Sequence, residues 1–293
     1  GRPMLHAFIK LRANTMLGGV VYKDYNAAML QMPQKSWVGP LVQKLEAEVT
    51  PPQSKKDRGG IEDYMDQQFW QTTAASLLGR IGDPAAVEPL IKVILDPAKV
   101  DFHQTAMVAL IQIGKPSTEA AIRLLKGEHK ELLAHCQKRI KEVTGSDPKG
   151  KPCQQTAAVI IGSVGRPEAV GAMIEALRAE TDEPTKAIIA RELTKLPASA
   201  DSTAAFKAAY ESISPDTQIP PGQPALEVLT EAAGGFFDAS LVGWLLCRGE
   251  GAKDGEVSEA EEKAERRDRD PCFDGWVRGK RFQEQEQHGD GNE

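Results

Sequence analysis

The segment AASLLGRIGDPAAVEPLI, residues 74–91, recurs as AAVIIGSVGRPEAVGAMI, residues 157–174, at one constant offset. Gly79 falls on Gly162, Gly82 on Gly165, Pro84 on Pro167 and Val87 on Val170. Self-similarity at fixed spacing is the signature of a repeat array, and it constrains a fold more than any single motif. A weaker copy centres on Gly114-Lys115-Pro116, with Pro116 in the place of Pro84, and another puts Pro197 there. In the second of these, Ala187, Ile188 and Ala190 fall on Ala74, Ala75 and Leu77. A last copy over 229–246 sets Gly234 on Gly79 and Asp238 on Asp83, and an early degenerate one has Pro33 followed by Val38, Leu41, Val42 and Leu45. About six units are expected.

Each unit reads as helix, tight turn, helix. Ala74, Ala75, Leu77, Leu78 and Ile81 line one side of a first helix. Gly82 suits the left-handed residue that ends it, because glycine has no Cβ to clash there. Asp83 is placed to cap the next helix, and Pro84 suits its first position, where a missing N–H is no loss. Val87, Leu90, Ile91 and Ile94 then follow the i, i+3, i+4, i+7 spacing of a buried helical face. One such pair cannot bury both apolar faces, so neighbours must stack into a continuous core. Aromatic residues are only 5% of the chain, so that core is built mainly of Ala, Leu, Ile and Val.

The Gly-Asp-Pro turn between an Ala-rich helix and an apolar one resembles the HEAT repeat family, particularly the short bacterial HEAT-like repeats also found in phycobilisome lyases. The resemblance is clearest at 72–97 and 155–180 and extends from Ala28 to Cys247. It implies an all-α fold, an α-solenoid of about six stacked pairs over residues 1–248, followed by a charged tail over 249–293. Tetratricopeptide repeats also stack helix pairs, but their aromatic signature positions are not filled here. For activity the resemblance is nearly silent, since a repeat fold hosts many functions.

Unit spacing is uneven. Pro116 lies much closer to Pro84 than Pro167 lies to Pro116, an excess to which the polar loop 145–152 contributes. Similar breaks occur at 50–60 and 214–224. Insertions in solenoids tend to lie on one edge and often carry recognition. Between Arg123 and Lys151 the basic residues Arg123, Lys126, Lys130, Lys138, Arg139, Lys141, Lys149 and Lys151 outnumber the acidic ones by four. They form a candidate patch for an acidic partner, with the solvated face of a helix pair as the plainer reading.

Chemistry-bearing patterns are sparse. HEAT-type deoxyhypusine hydroxylase holds iron with His-Glu dipeptides, and none of the five histidines is followed by Glu. Glu131, His135 and Cys136 share a helical stretch, but without a distal ligand they read as a polar helix face. There is no P-loop, no GxGxxG and no GxSxG. Trp37, Trp70 and Trp244 keep the apolar period and are expected in the core, which argues against a DNA glycosylase of HEAT type. The expectation is a non-enzymatic module with no catalytic residue, metal or cofactor, a right-handed solenoid that holds another protein or peptide by its concave surface and inter-repeat loops. A bilin-lyase-like protein and a disulfide-containing cell-envelope scaffold are the alternatives.

The cysteines leave two readings open. Cys136 with Cys153 and Cys247 with Cys272 would form disulfides in an oxidising compartment, or all four are unrelated thiols, the reading favoured by how often free cysteine is simply buried. No CxxC occurs. The longest nearly apolar stretch, 157–164, has eight residues, against roughly 20 for a membrane-spanning helix. The segment 5–17 reads as a helix rather than a signal, because Lys10 and Arg12 interrupt it. The chain begins at Gly1, so a processed or excised segment is expected, placed in the cytoplasm, or in the periplasm or envelope if the cysteines pair.

The net charge of −6 resides in the tail, where 249–293 carries 14 acidic and 8 basic residues. The repeat body is neutral, which makes nucleic acid an unlikely partner. Within the tail, 256–269 suits a polar helix and 283–293 suits disorder. Phe273, Trp276, Val277 and Phe282 make an apolar island that is expected to cap the last repeat or to act as a peptide-like ligand. The acidic tail is also expected to compete for the basic patch.

Overall fold

The computed structural model describes Leu5 and residues 27–50, 54, 57–236, 241 and 243–245. Within them the chain folds as helix pairs stacked in two layers. The first-helix layer runs α2 (Arg58–Ile81), α4 (His103–Ile113), α7 (Pro152–Val164), α9 (Glu183–Leu193) and α11 (Ala225–Ala233), each packed on the next. The second-helix layer runs α1 (Val38–Glu46), α3 (Val87–Ile94), α5 (Lys115–Leu125), α8 (Val170–Ala179) and α10 (Ala200–Ser212). Second helices also pack on the first helix of the following unit, α1 on α2, α3 on α4, α5 on α7 and α8 on α9. The expected all-α solenoid of stacked pairs is therefore the architecture observed.

The repeat offset has a three-dimensional meaning. Ala74, Ala75, Leu77 and Leu78 on α2 are fully buried, and so are Ala157, Ala158, Ile160 and Ile161 at the matching positions of α7. The paired glycines explain how closely the first helices approach. A Cβ on Gly79 would sit 2.7 Å from the Ala109 Cα of α4, and one on Gly162 would sit 3.1 Å from the Glu192 carbonyl oxygen of α9. At Gly79 a larger residue must push α4 away, whereas at Gly162 the contact is tight and α9 would have to give by a few tenths of an ångström. Trp37 and Trp70 lie in the core as expected, and Trp244 is half-buried against it.

The turn chemistry follows the sequence reading with one refinement. Gly82 and Gly165 both adopt left-handed backbone, with φ of 68° and 69°. Asp83 accepts a hydrogen bond from the Ala85 N–H at 2.9 Å. Pro84 and Pro167, however, open short 3-10 turns, Pro84–Ala86 and Pro167–Ala169, and the α-helices begin one turn later at Val87 and Val170. Gly114 makes an abrupt link with φ of 78°, and Pro116 lies in the first turn of α5. Pro197 lies in the connection between α9 and α10, but Ser199 supplies the cap through a reciprocal capping box with Ser202. Asp238 lies outside the described residues, as do most of 5–17, Cys247, Cys272, the tail and its apolar island.

Three loop expectations are corrected. Residues 58–60 belong to α2 rather than to a loop, because Asp57 caps the helix by accepting from the Gly60 N–H at 3.0 Å. The excess spacing before Pro167 is not chiefly loop. It holds an additional helix, α6 (Lys130–Thr144), which lies outside both layers against α3 and α5. Residues 214–224 contain a two-stranded antiparallel hairpin, β1 (Gln218–Ile219) with β2 (Gln223–Pro224), which buries Ile219. Glu183 anchors its approach by accepting from the Ser214 N–H at 3.0 Å and from the Thr217 hydroxyl.

The cysteine reading is corrected too. Cys136 of α6 and Cys153 of α7 are joined by a disulfide with Cα atoms 6.3 Å apart, so they are not separate thiols. The bond removes Cys136 from any metal set with Glu131 and His135. Among the described residues no group of three or more His, Cys, Asp or Glu side chains is placed to hold a metal ion, and no helix is long and apolar enough to cross a membrane.

Candidate functional site

The added helix α6 is fixed at its leading end and along one side. His129, just before it, is buried and donates from Nε2 to Glu88 of α3 at 2.9 Å. Along its length Arg139 donates to three carboxylates, to Asp96 at 2.9 Å, Glu142 at 2.9 Å and Glu48 at 3.3 Å. Asp96 is itself buried after α3 and also caps the 3-10 turn Pro97–Phe102 by accepting from the Ala98 N–H. Arg139 therefore ties α6 to the ends of α1 and α3, and its planar fork suits several carboxylates at once.

Beside this contact lies a small cleft of about 150 Å³ lined by Glu46, Glu48, Lys92, Asp96, Lys99 and His135 among others. Lys99 is buried, and its ammonium donates to the Leu45 and Ala47 carbonyls at 2.8 and 2.9 Å. Gln71 donates to the carbonyls of Lys44 and Ala47. Two side chains thus satisfy the open C-terminal end of α1, where the helix dipole also favours a cation. Burial lowers the Lys99 pKa against the opposing pull of Asp96 and Glu48, and burial also holds His135 below its ordinary value. The Lys99 ammonium, the Gln71 amide N–H groups and the Arg139 guanidinium are spent on backbone carbonyls and carboxylates, so the cluster works as a structural joint.

Of the eight basic residues singled out from the sequence, five pair with carboxylates and three are exposed. Arg139 is inward. Lys126 pairs with Glu175 at 2.9 Å, Lys138 with Glu142 at 3.7 Å, Lys141 with Asp147 at 3.0 Å and Lys151 with Glu180 at 2.7 Å. The bond and charge of Glu175 raise the Lys126 pKa. Arg123, Lys130 and Lys149 are exposed, and Arg123 borders a shallow depression with Pro84, Glu88 and Pro116. Local carboxylates therefore offset most of the positive excess counted along the chain.

A different surface stands out in the first-helix layer. Between α4 and α7 the layer opens into a groove of about 530 Å³. Met107 and Val108 of α4, Val159 of α7, Ile188 of α9, Ile94 of α3 and Pro220 of the hairpin supply its apolar lining. His103, Gln104, Gln155, Thr156 and Ser163 supply polar groups. Val108 is 47% exposed and Ile111, one turn further on α4, is 42% exposed. His103 is oriented by a hydrogen bond from Nε2 to the Asp96 carbonyl at 3.0 Å. The lining combines apolar area with hydrogen-bonding groups at its edge, a composition that suits an apolar side-chain cluster on a peptide.

The sequence carried a signal for this groove. In α4, Ala106, Ala109 and Leu110 are buried in the repeat core, yet Met107, Val108 and Ile111 are apolar as well, alongside exposed Gln104 and Gln112. Apolar residues outside that buried stripe, such as Met107 and Val108, are the sequence feature that the groove uses.

No curated protein matches the chain. Residues 70–96 match the family model described as the PBS lyase HEAT-like repeat. The matched stretch contains the end of α2, the Gly82 turn and α3, and its buried residues Ala74, Leu77, Leu78, Val87 and Leu90 are those that make the stack. The structure repeats that unit in α7 and α8, in the register of the sequence offset. The match therefore identifies the α2–α3 unit as a HEAT-like repeat.

Proposed function

We propose that this chain is a non-enzymatic protein-binding module, with the groove between α4 and α7 as its contact surface. The observation that carries the reading is the groove itself, an apolar depression of about 530 Å³ lined by Met107, Val108, Val159 and Ile188, with Val108 47% exposed. HEAT-like repeats suit such a role, because surface residues vary without disturbing the buried consensus. Capture of binding proteins by the wild-type chain, Val108→Asp and the pair Lys130→Glu with Lys149→Glu tests it. A partner lost with Val108→Asp and retained with the charge reversals supports the groove. Loss only with the reversals returns the contact to the basic face of α6.

The Cys136–Cys153 disulfide favours a second element of the reading, residence in an oxidising compartment. Mass spectrometry of the chain isolated without reductant tests it. A peptide linked through Cys136 and Cys153 supports the compartment, and two alkylated thiols contradict it.

A further inference from the structure

We infer that the groove between α4 and α7 is occupied, in the chain by itself, by the chain's own segment 273–282. This rests on the groove being the binding surface and adds that it is self-regulated. The segment, FDGWVRGKRF, holds Phe273, Trp276 and Val277 at the i, i+3, i+4 spacing that sets side chains on one side of a helical turn. It is the apolar island of an otherwise polar tail, and the groove offers an apolar floor with polar edges. Among the described residues no Asp, Glu, Lys or Arg side chain lines the groove, so docking an apolar cluster there desolvates no carboxylate, ammonium or guanidinium of the repeat body.

Reach permits the contact. The described chain ends at Leu245, soon after α11, and Trp244 meets Tyr210 of α10 edge-on at 5.5 Å. From α11 to the groove the path crosses α9 and α7 to α4, three neighbouring spacings in the first-helix layer. Helices pack roughly 8–10 Å apart, which makes the path roughly 30 Å. Residues 246–272 form the link, and a coil of that length spans roughly 30 Å. A link in which 256–269 is helical spans about the same, roughly 21 Å of helix joined to short coils. The linker therefore matches the distance, the condition under which a tethered ligand reaches its highest effective concentration. Pro220, on the hairpin just before α11, already forms one wall of the groove. A partner protein then binds by displacing the segment, which makes its apparent affinity depend on the tail.

Photocrosslinking in the full chain tests this. With Val108→p-benzoylphenylalanine, irradiation is expected to give an intramolecular adduct to residues 270–285 whose yield does not depend on protein concentration. Adding Trp276→Ala is expected to lower that yield about tenfold, through loss of the largest apolar anchor. Adducts to a captured partner with none to 270–285 overturn the inference and leave the binding surface standing. Adducts to a second copy of the chain overturn it in favour of self-association. No adduct to either the tail or a partner overturns both the inference and the groove reading.

Discussion

Gly79→Ala and Gly171→Ala are the same change in chemistry and are expected to move stability in opposite directions. In an exposed helix interior, replacing Gly by Ala gains roughly 0.5–1 kcal/mol, because Ala loses less backbone entropy on folding. Gly171 on α8 is such a site, since a Cβ there meets nothing within 4 Å. At Gly79 the new Cβ would lie 2.5 Å from Gln112 Oε1, 2.7 Å from the Ala109 Cα and 2.9 Å from the Ala109 Cβ. The Gln112 side chain can swing away, but the Ala109 backbone can yield only if α4 moves off α2. Overpacking of this kind costs about 1–3 kcal/mol, so after the propensity gain of about 0.5–1 kcal/mol the net loss is up to about 2.5 kcal/mol. Urea unfolding followed by far-ultraviolet circular dichroism, without reductant, measures both variants, and an unchanged slope shows that the same structure unfolds. At about 2–4 °C per kcal/mol for a chain of this size, the melting temperatures should diverge visibly. Equal stabilisation of the two variants would refute close contact between first helices as the basis of the repeat glycine.

The remaining expectations concern the joints around α6 and the hairpin. Replacing Cys136 by Ser opens a loop of 17 residues and is expected to cost about 3 kcal/mol, read as a lower urea midpoint that reductant no longer changes. Arg139→Ala leaves buried Asp96 without its guanidinium partner and should cost about 3 kcal/mol. Lys138→Ala, one residue away and exposed, should stay within about 0.5 kcal/mol in the same assay. The hydrogen bonds from Thr217 and the Ser214 N–H lower the Glu183 pKa below its ordinary 4.5. Its contribution is therefore complete above the ordinary carboxylate range and is lost as pH falls through the lowered folded value. Hydrogen exchange at the Ser214 amide should accelerate across that acidic window in the wild type, and Glu183→Gln should flatten the profile.

The fold was legible because the repeat consensus is written in buried residues. Ala74, Leu77 and Leu78 mark both a sequence period and a packing layer, and Gly82 marks a backbone conformation that few other residues adopt. The added helix α6 was hidden for the same reason. It belongs to no repeat, and its Lys and Glu residues read as surface charge until Asp96 and Glu48, distant in sequence, are brought against Arg139. The basic excess was legible as a count but not as a field, because Glu175 and Glu180, which offset Lys126 and Lys151, come from the following unit. The groove was only partly legible, through apolar Met107 and Val108 beyond the buried stripe of α4, because its other walls, Val159, Ile188 and Pro220, come from elements distant in sequence. Free against paired cysteine was likewise undecidable from spacing, since it rests on where α6 comes to lie.

Under the proposed function, the opening between α4 and α7 is where this stack of helix pairs meets another protein. Titration of an identified partner against the wild-type chain and Val108→Asp, both with unchanged circular dichroism, addresses it most directly. Losing a valine from the contact and burying a carboxylate in its place should cost at least about 1.4 kcal/mol, so the account predicts a dissociation constant raised at least tenfold. An unchanged constant would contradict it.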